Sequence, residues 1–331
     1  SAVDHFTLDG SIDGATHIDT GDGKDEVKVE QFIAQVYIKT GLGSDTITLF
    51  DGVGDSVGAG AALEVDGGAA GDIYIVTVAN NAAGGSFINL KDSGRDGDDV
   101  LTYKGSSDPI NGDLIQLDTV YDRSLDTSKA FSSSRHLAYG DDGNGLIIAH
   151  FSDSAGAYQA ADLENTDALM EVNKSELSLS SNYLALNYSS IDNVIIHTGD
   201  GPDKIISDDT AQDIDIIGGK GDDEFYIGSV IDTREELVEG RQVTVVTEIT
   251  HGTSFLMNIY GGDDNDYFEV NHNRADIGLY GDNGDDTFFI KALLTLNEDN
   301  EMVEIDSHTA TVSAGAGEGS EKSQQGNNDT R

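Results

Sequence analysis

Residues 216–228 read IIGGKGDDEFYIG, with Gly218, Gly219 and Gly221 and two adjacent aspartates set between apolar runs. Written as G-G-x-G-x-D-x-U-x, with U a large apolar residue, the stretch matches every defined position. Seven other segments follow it: TGDGKDEV (20–27), TGLGSDTI (40–47), GGAAGDIY (67–74), GRDGDDVL (94–101), TGDGPDKI (198–205), GGDDNDYF (261–268) and GDNGDDTF (281–288). The sixth position is Asp in all eight, and the eighth is Val, Ile, Leu, Tyr or Phe.

The flanks repeat as well. Two residues before the motif stand Ile18, Ile38, Val65, Ile196, Ile216, Ile259 and Leu279; only the copy at 94–101 departs, with Asp92. After the motif, apolar residues alternate, as in Val27/Val29, Ile47/Leu49, Tyr74/Val76, Phe225/Ile227 and Phe268/Val270. A period of two means strands with one buried face. Each unit therefore reads strand, glycine-aspartate turn, strand. The shortest step between copies is 20 residues, which suits one coil of two short strands and two turns. The opposite turn, around Glu30–Gln35, carries no glycine motif, so the aspartate turns are expected on one side only.

Composition narrows the function. The 331 residues hold 62 acidic and 18 basic side chains, a formal charge of −44. Such a chain repels nucleic acid and anionic lipid surfaces and attracts cations. Yet 37% of the residues are apolar and clustered, which argues for a folded protein stabilised by bound cations rather than for disorder. There is no cysteine, so neither a disulfide framework nor a thiolate metal site is possible. No apolar run approaches the ~20 residues of a membrane-spanning helix. The SAVDHF start, without initiator Met or signal-peptide pattern, fits a piece cut from a longer chain.

The motif has a physical use. Ca²⁺ takes six to eight oxygens. Glycine lets a tight turn visit positive φ and aim carbonyls inward. One turn offers too few ligands, but two turns stacked at the strand spacing of about 4.8 Å can share an ion. A single Asp in such a turn can equally cap its own backbone; eight copies in register point to metal.

These residues resemble the repeats-in-toxin family of hemolysin-type calcium-binding repeats. The resemblance covers 18–50, 63–103 and 194–290. It implies an all-β parallel β-solenoid of the β-roll type, here a divergent one-sided form with ~20-residue coils and insertions, binding several Ca²⁺ ions. Carried over, the ligating side chains are Asp25, Asp45, Asp72, Asp99, Asp203, Asp223, Asp266 and Asp286. The turn residues implied with them are Thr20, Asp22, Thr40, Leu42, Gly67, Gly94, Asp96, Thr198, Asp200, Gly218, Lys220, Gly261, Asp263, Gly281 and Asn283. Where these are acidic, as at Asp22, Asp96, Asp200 and Asp263, the side chain reads as outward charge, as do Asp222 and Asp285.

Four segments follow: a first calcium-binding array (1–103), a β-rich insertion or motif-free continuation (104–193), a second array (194–311) and a flexible polar tail (312–331). Within the insertion, 113–122, 146–151, 175–181 and 183–189 read as strands, GDDGNG (140–145) as a hairpin turn, and 157–172 as a turn or two of helix. In 232–240, Asp232 with Glu235 resembles a capping box and Gly240 a helix stop, predicting a short helix.

Nothing specifies catalysis. GDSVG (54–58) matches the serine-hydrolase elbow but lacks a following helical pattern. There is no HExxH, and His197 reads as an outward strand residue. The expectation is a non-enzymatic, extracellular or cell-surface structural or adhesive module. It would bind calcium, with self-association or other surface and matrix molecules as partners and neither nucleic-acid binding nor membrane insertion. Alternatives are a self-assembling filament or surface-layer subunit, and the calcium-binding roll of a secreted enzyme.

Overall fold

A computed structural model describes residues 3–9, 14–50, 56–57, 62–77, 86–94, 96–106, 111–120, 144–152, 156–159, 183–238, 240–291, 294–296, 302–305, 307–315 and 322–325. The described residues are all-β, with no helix among them, and therefore none long and apolar enough to cross a membrane.

Two large sheets carry the fold. Sheet I has ten strands, in order His5–Leu8, Glu26–Val29, Thr46–Leu49, Ile73–Thr77, Val100–Lys104, Asn193–Asp200, Asp213–Lys220, Met257–Asp263, Ile277–Asn283 and Ala310–Ser313. Neighbours in it pair parallel throughout. The main row of sheet II, a fourteen-stranded sheet, runs Thr16–Asp19, Gln35–Leu42, Ala62–Ala69, Ser86–Lys91, Tyr183–Ser189, Asn144–Ser152, Leu114–Val120, Lys204–Ser207, Glu224–Ile227, Tyr267–Val270, Thr287–Ile290 and Lys322–Gln325. Over both arrays the chain alternates between the sheets, so that each strand pairs with its counterpart one repeat away.

The alternation seen in the sequence sets which side chains meet. Val27, Val29, Ile47, Leu49, Tyr74 and Val76 from sheet I join Ile38, Val65, Leu90, Ile205, Phe225 and Phe268 from sheet II in one buried core. Because the strands pair in register, identical positions stack. Phe225, Phe268 and Phe288 form a column with ring centroids 4.9 and 4.6 Å apart. Each offset-stacked pair adds about 1 kcal/mol beyond its area burial.

The segment 104–193 enters sheet II rather than forming a separate body. Leu114–Val120 pairs parallel with Lys204–Ser207, and Tyr183–Ser189 pairs parallel with Ser86–Lys91. Between them Asn144–Ser152 runs antiparallel to both. Sheet I passes the same point without interruption, Val100–Lys104 pairing directly with Asn193–His197.

Several expectations need correction. The helix expected at 232–240 is a hairpin: Val230–Val238 pairs antiparallel with Arg241–Ile249. The β-branched run Val243, Thr244, Val245, Val246 and Thr247 favours strand. The positive φ of Gly240 serves the hairpin turn rather than a helix end. Asp232 is the register partner of Glu248 in the hairpin, and Glu235 accepts a hydrogen bond from the Thr244 hydroxyl at 2.6 Å, so neither stands at a helix start. Of GDDGNG, Asn144 and Gly145 are strand residues opposite Val120 and Thr119, and 140–143 lie outside the described residues, as do 157–172 apart from Ala157–Gln159 and all of 175–181. Within GDSVG, Ser56 and Val57 pair parallel with Gln31 and Phe32 as strand. The tail is partly built into the sheets, through Ala310–Ser313 and Lys322–Gln325.

The aspartate turns are not confined to one side. In the first array they lead from sheet II to sheet I, as from Gln35–Leu42 into Thr46–Leu49. In the second array they lead from sheet I to sheet II, as from Asp213–Lys220 into Glu224–Ile227. The two arrays therefore occupy opposite ends of the strands. Between the last turn of the first array and the first turn of the second, the chain lays Val100–Lys104 in sheet I, three strands in the main row of sheet II and Asn193–Asp200 in sheet I, so the motif resumes after a sheet I strand rather than after a sheet II strand.

Candidate metal centre

Each motif turn has an inner and an outer layer. The sixth-position aspartates form the inner layer and are all buried, from Asp72 and Asp223 at 0% exposure to Asp99 at 7%. Of the first-position residues, Thr40, Gly67, Thr198, Gly218, Gly261 and Gly281 are buried beside them, while Thr20 and Gly94 are half-buried. The third-position residues form the outer layer. Asp22, Leu42, Asp96, Lys220, Asp263 and Asn283 are exposed, and Asp200 is half-buried with the Lys220 ammonium 3.3 Å away. Asp222 and Asp285 are exposed too, as the sequence suggests for these acids.

The inner aspartates are wired into ladders. The backbone N–H of Asp25 donates to Asp45 Oδ1, that of Asp45 to Asp72 Oδ1 and that of Asp72 to Asp99 Oδ1, at 2.7, 2.7 and 2.8 Å. The second ladder runs Asp203 to Asp223 to Asp266 to Asp286, at 2.8, 2.9 and 3.0 Å. Both ladders extend past the motifs. Asp4 N–H donates to Asp25, Asp99 N–H to Asp192, and Asp113 N–H to Asp203.

Only one oxygen of each carboxylate is used this way. The Oδ2 atoms of Asp25, Asp45, Asp72, Asp203, Asp223, Asp266 and Asp286 are buried and accept no hydrogen bond. Those of Asp72, Asp223, Asp266 and Asp286 point at the first residue of their own turn. A Cβ placed on Gly218, Gly261 or Gly281 would overlap the Oδ2 of Asp223, Asp266 or Asp286. The carbonyl of the next repeat's first glycine converges on the same spot: Gly261 O lies beside Gly218 and Gly281 O beside Gly261. Two acceptors facing each other without a donor are costly, because a buried unsatisfied charge loses hydration and gains nothing. Only a proton or a cation can bridge them.

The titration of these groups follows. Burial, reinforced by neighbouring ladder carboxylates, pushes Asp223 up to about 9 and Asp203 to about 8. Burial likewise raises Asp72 and Asp266 to about 8 and Asp99 to about 6.

Thr-type turns differ. The Thr40 hydroxyl donates to Gly67 O at 2.7 Å and the Thr198 hydroxyl to Gly218 O at 2.6 Å. Their side chains fill the place that the glycines leave clear. The donor set is oxygen throughout, carboxylate plus carbonyl, which fits a hard cation such as Ca²⁺ and not a nitrogen- or sulfur-preferring metal.

Neither a family model nor a curated protein matches this sequence.

Four further acids adjoin the ladders outside the glycine motif, Asp92 and Asp113 buried and Asp4 and Asp192 exposed. Asp4, Asp113 and Asp192 lack its glycines but keep its end: Asp4-His5-Phe6, Asp113-Leu114-Ile115 and Asp192-Asn193-Val194 each read Asp-x-apolar before an alternating strand. That shorter signature finds them. The fourth is Asp92. Leu90 pairs with Val65 and Lys91 with Asp66, so Leu90, not Asp92, takes the apolar place before the turn. Asp92 is level with Gly67 and buried, and the fourth turn is longer by two residues. Gly94, read from the motif as the turn's first residue, sits against Gly68 O instead.

Proposed function

We propose that the chain is a calcium-binding parallel β-solenoid serving as a structural or adhesive module of a secreted or cell-surface protein. The observation that carries this reading is the set of seven buried Oδ2 atoms without hydrogen-bond partners, all on sixth-position aspartates. A ladder of like charges at the strand spacing repels itself. At about 5 Å and an effective dielectric of about 20, each neighbouring pair costs about 3 kcal/mol. A bound Ca²⁺ supplies positive charge between successive turns and replaces that repulsion with coordination.

The chain's own residues do the rest. The glycines keep the inner layer clear, the backbone N–H groups hold each carboxylate by Oδ1, and Phe225, Phe268 and Phe288 anchor the coils behind the turns. Folding is thereby coupled to the ion, since the sites exist only when the coils stack. Affinities of about 10⁻⁴–10⁻³ M, usual for extracellular calcium modules, suit a protein that stiffens outside the cell.

The test is thermal unfolding by circular dichroism with and without calcium. Calcium is expected to raise the melting temperature in a concentration-dependent way, about 2.7 kcal/mol per site at a hundred times Kd. Unchanged strand content and melting temperature after EGTA treatment would overturn the proposal.

A further inference from the structure

Three carboxylates converge at one point of the first ladder. Ligand oxygens of Asp72, Asp92 and Asp99 lie within 4.8 Å of one another, and all three residues are buried. Asp92 makes this rung unlike the rest. Its Oδ1 accepts from Gly94 N at 2.7 Å, and its Oδ2 accepts from the Tyr74 hydroxyl at 2.9 Å. The Tyr74 oxygen in turn accepts from Gly67 N at 3.0 Å. These bonds fix Asp92 and leave Asp72 Oδ2 facing it without a donor.

Gly67 is what makes room. Tyr74 Oη, Asp72 Oδ2 and Asp92 Oδ2 all lie within 2.9 Å of the point where a Gly67 Cβ would stand. Asp72, fully buried, thus aims an unpartnered oxygen into a cradle whose three nearest side-chain atoms are oxygens.

We propose that Asp72, Asp92 and Asp99 form a discrete site for one hard divalent cation of the calcium type, the tightest in the protein. The reading that the sixth-position aspartates face cations underlies the roles of Asp72 and Asp99; the role of Asp92 is additional to it. The ranking follows from charge count, because affinity for calcium rises with the number of carboxylates that face it. Here two acids of the ladder are joined by a third that no motif position supplies. The two-residue lengthening of the turn delivers it: nine positions separate Leu90 from Asp99, against seven between Val65 and Asp72. The site stands on the first ladder beside the inserted strands, since Asp99 N–H donates to Asp192 just before Asn193–Asp200.

Tyr74 provides an optical reporter. A lanthanide within a few ångströms of a tyrosine emits when the ring is excited, so Tb³⁺ is the probe. Titrated into the full chain, it should show a tight phase of one ion with tyrosine-sensitised emission, displaced by Ca²⁺. D92N should weaken that phase at least tenfold. Y74F should remove the sensitised emission of that ion while bound metal, counted by equilibrium dialysis, still includes it. D223N, on the other ladder, should leave the phase intact. An unchanged tight phase in D92N, or undiminished emission of that phase in Y74F, overturns the proposal. If D92N folds poorly by circular dichroism, Y74F carries the test alone. The two readings separate cleanly: if one ion binds in total, the ladder reading fails and this one stands, whereas several equivalent ions unaffected by D92N give the reverse.

Discussion

The backbone N–H of Asp223 donates to Asp266 Oδ1 at 2.9 Å, joining residues 43 positions apart in the chain. The same aspartate receives, through its own Oδ1, the N–H of Asp203. Asp223, like the other rungs within each ladder, is thus both donor and acceptor. The carboxylate is held by one oxygen for structure and presents the other, Oδ2, for charge.

This division predicts opposite effects of one substitution. In D223N the amide oxygen keeps the bond from Asp203 N–H, and the new NH₂ faces Gly261 O where a bare carboxylate oxygen stood. The calcium-free protein should gain about 1–2 kcal/mol, while calcium stoichiometry falls by one. Melting curves in chelator and isothermal titration check it; a lower melting point in chelator for D223N than for wild type contradicts it.

Gly261 tests the cradle sterically. Its backbone does not require a positive φ, yet a Cβ there overlaps Asp266 Oδ2. G261V should cost about 1–3 kcal/mol and remove one calcium. G261T should be tolerated better, because its hydroxyl can donate to Gly281 O as Thr198 does to Gly218 O. Equal destabilisation by the two variants counts against this account of the Thr-type turns.

The calcium-free protein should be more stable in acid. Asp223 is raised from 3.8 to about 9 and Asp266 to about 8, chiefly by burial. A carboxyl whose folded value is raised stabilises the fold in its protonated form. That contribution is complete below pH 3.8 and is lost as pH rises through about 8–9. Metal-stripped protein should therefore melt higher at pH 5 than at pH 9. With saturating calcium the order should reverse, because protons compete for the same oxygens. Melting temperatures at three pH values, with and without calcium, decide it.

The aromatic column should matter independently of the ion. Phe268 sits between Phe225 and Phe288 and is fully buried. F268A should destabilise by about 3–5 kcal/mol in chelator and in calcium alike. A loss confined to the calcium-bound state indicates that the column serves the ion site rather than the core.

Much of this was legible because the fold is periodic. Apolar alternation gave the strands, and the recurrence of Asp at the sixth position gave the inner layer. Reading failed where a local pattern has two structural uses. Gly240 ends helices and turns hairpins alike, and the β-branched residues across from it decided for the hairpin. Asp92 was aligned by counting back from Gly94, but pairing of Leu90 with Val65 moves it two places, into the site.

By itself the sequence determined the composition of the motif rungs other than the fourth: which residue bends, which carries charge and which enters the core. These follow from the local requirements of turns and strands and need no partner. Only the tertiary structure decided which end of the strands each array occupies. That depends on which sheet the strand before each turn enters, and Asn193–Asp200 enters sheet I through pairing between residues nearly a hundred positions apart, such as Tyr103 with Ile196. It also decided that Asp92 meets Asp72 and Asp99, because only the parallel pairing of successive repeats brings three like charges to one point.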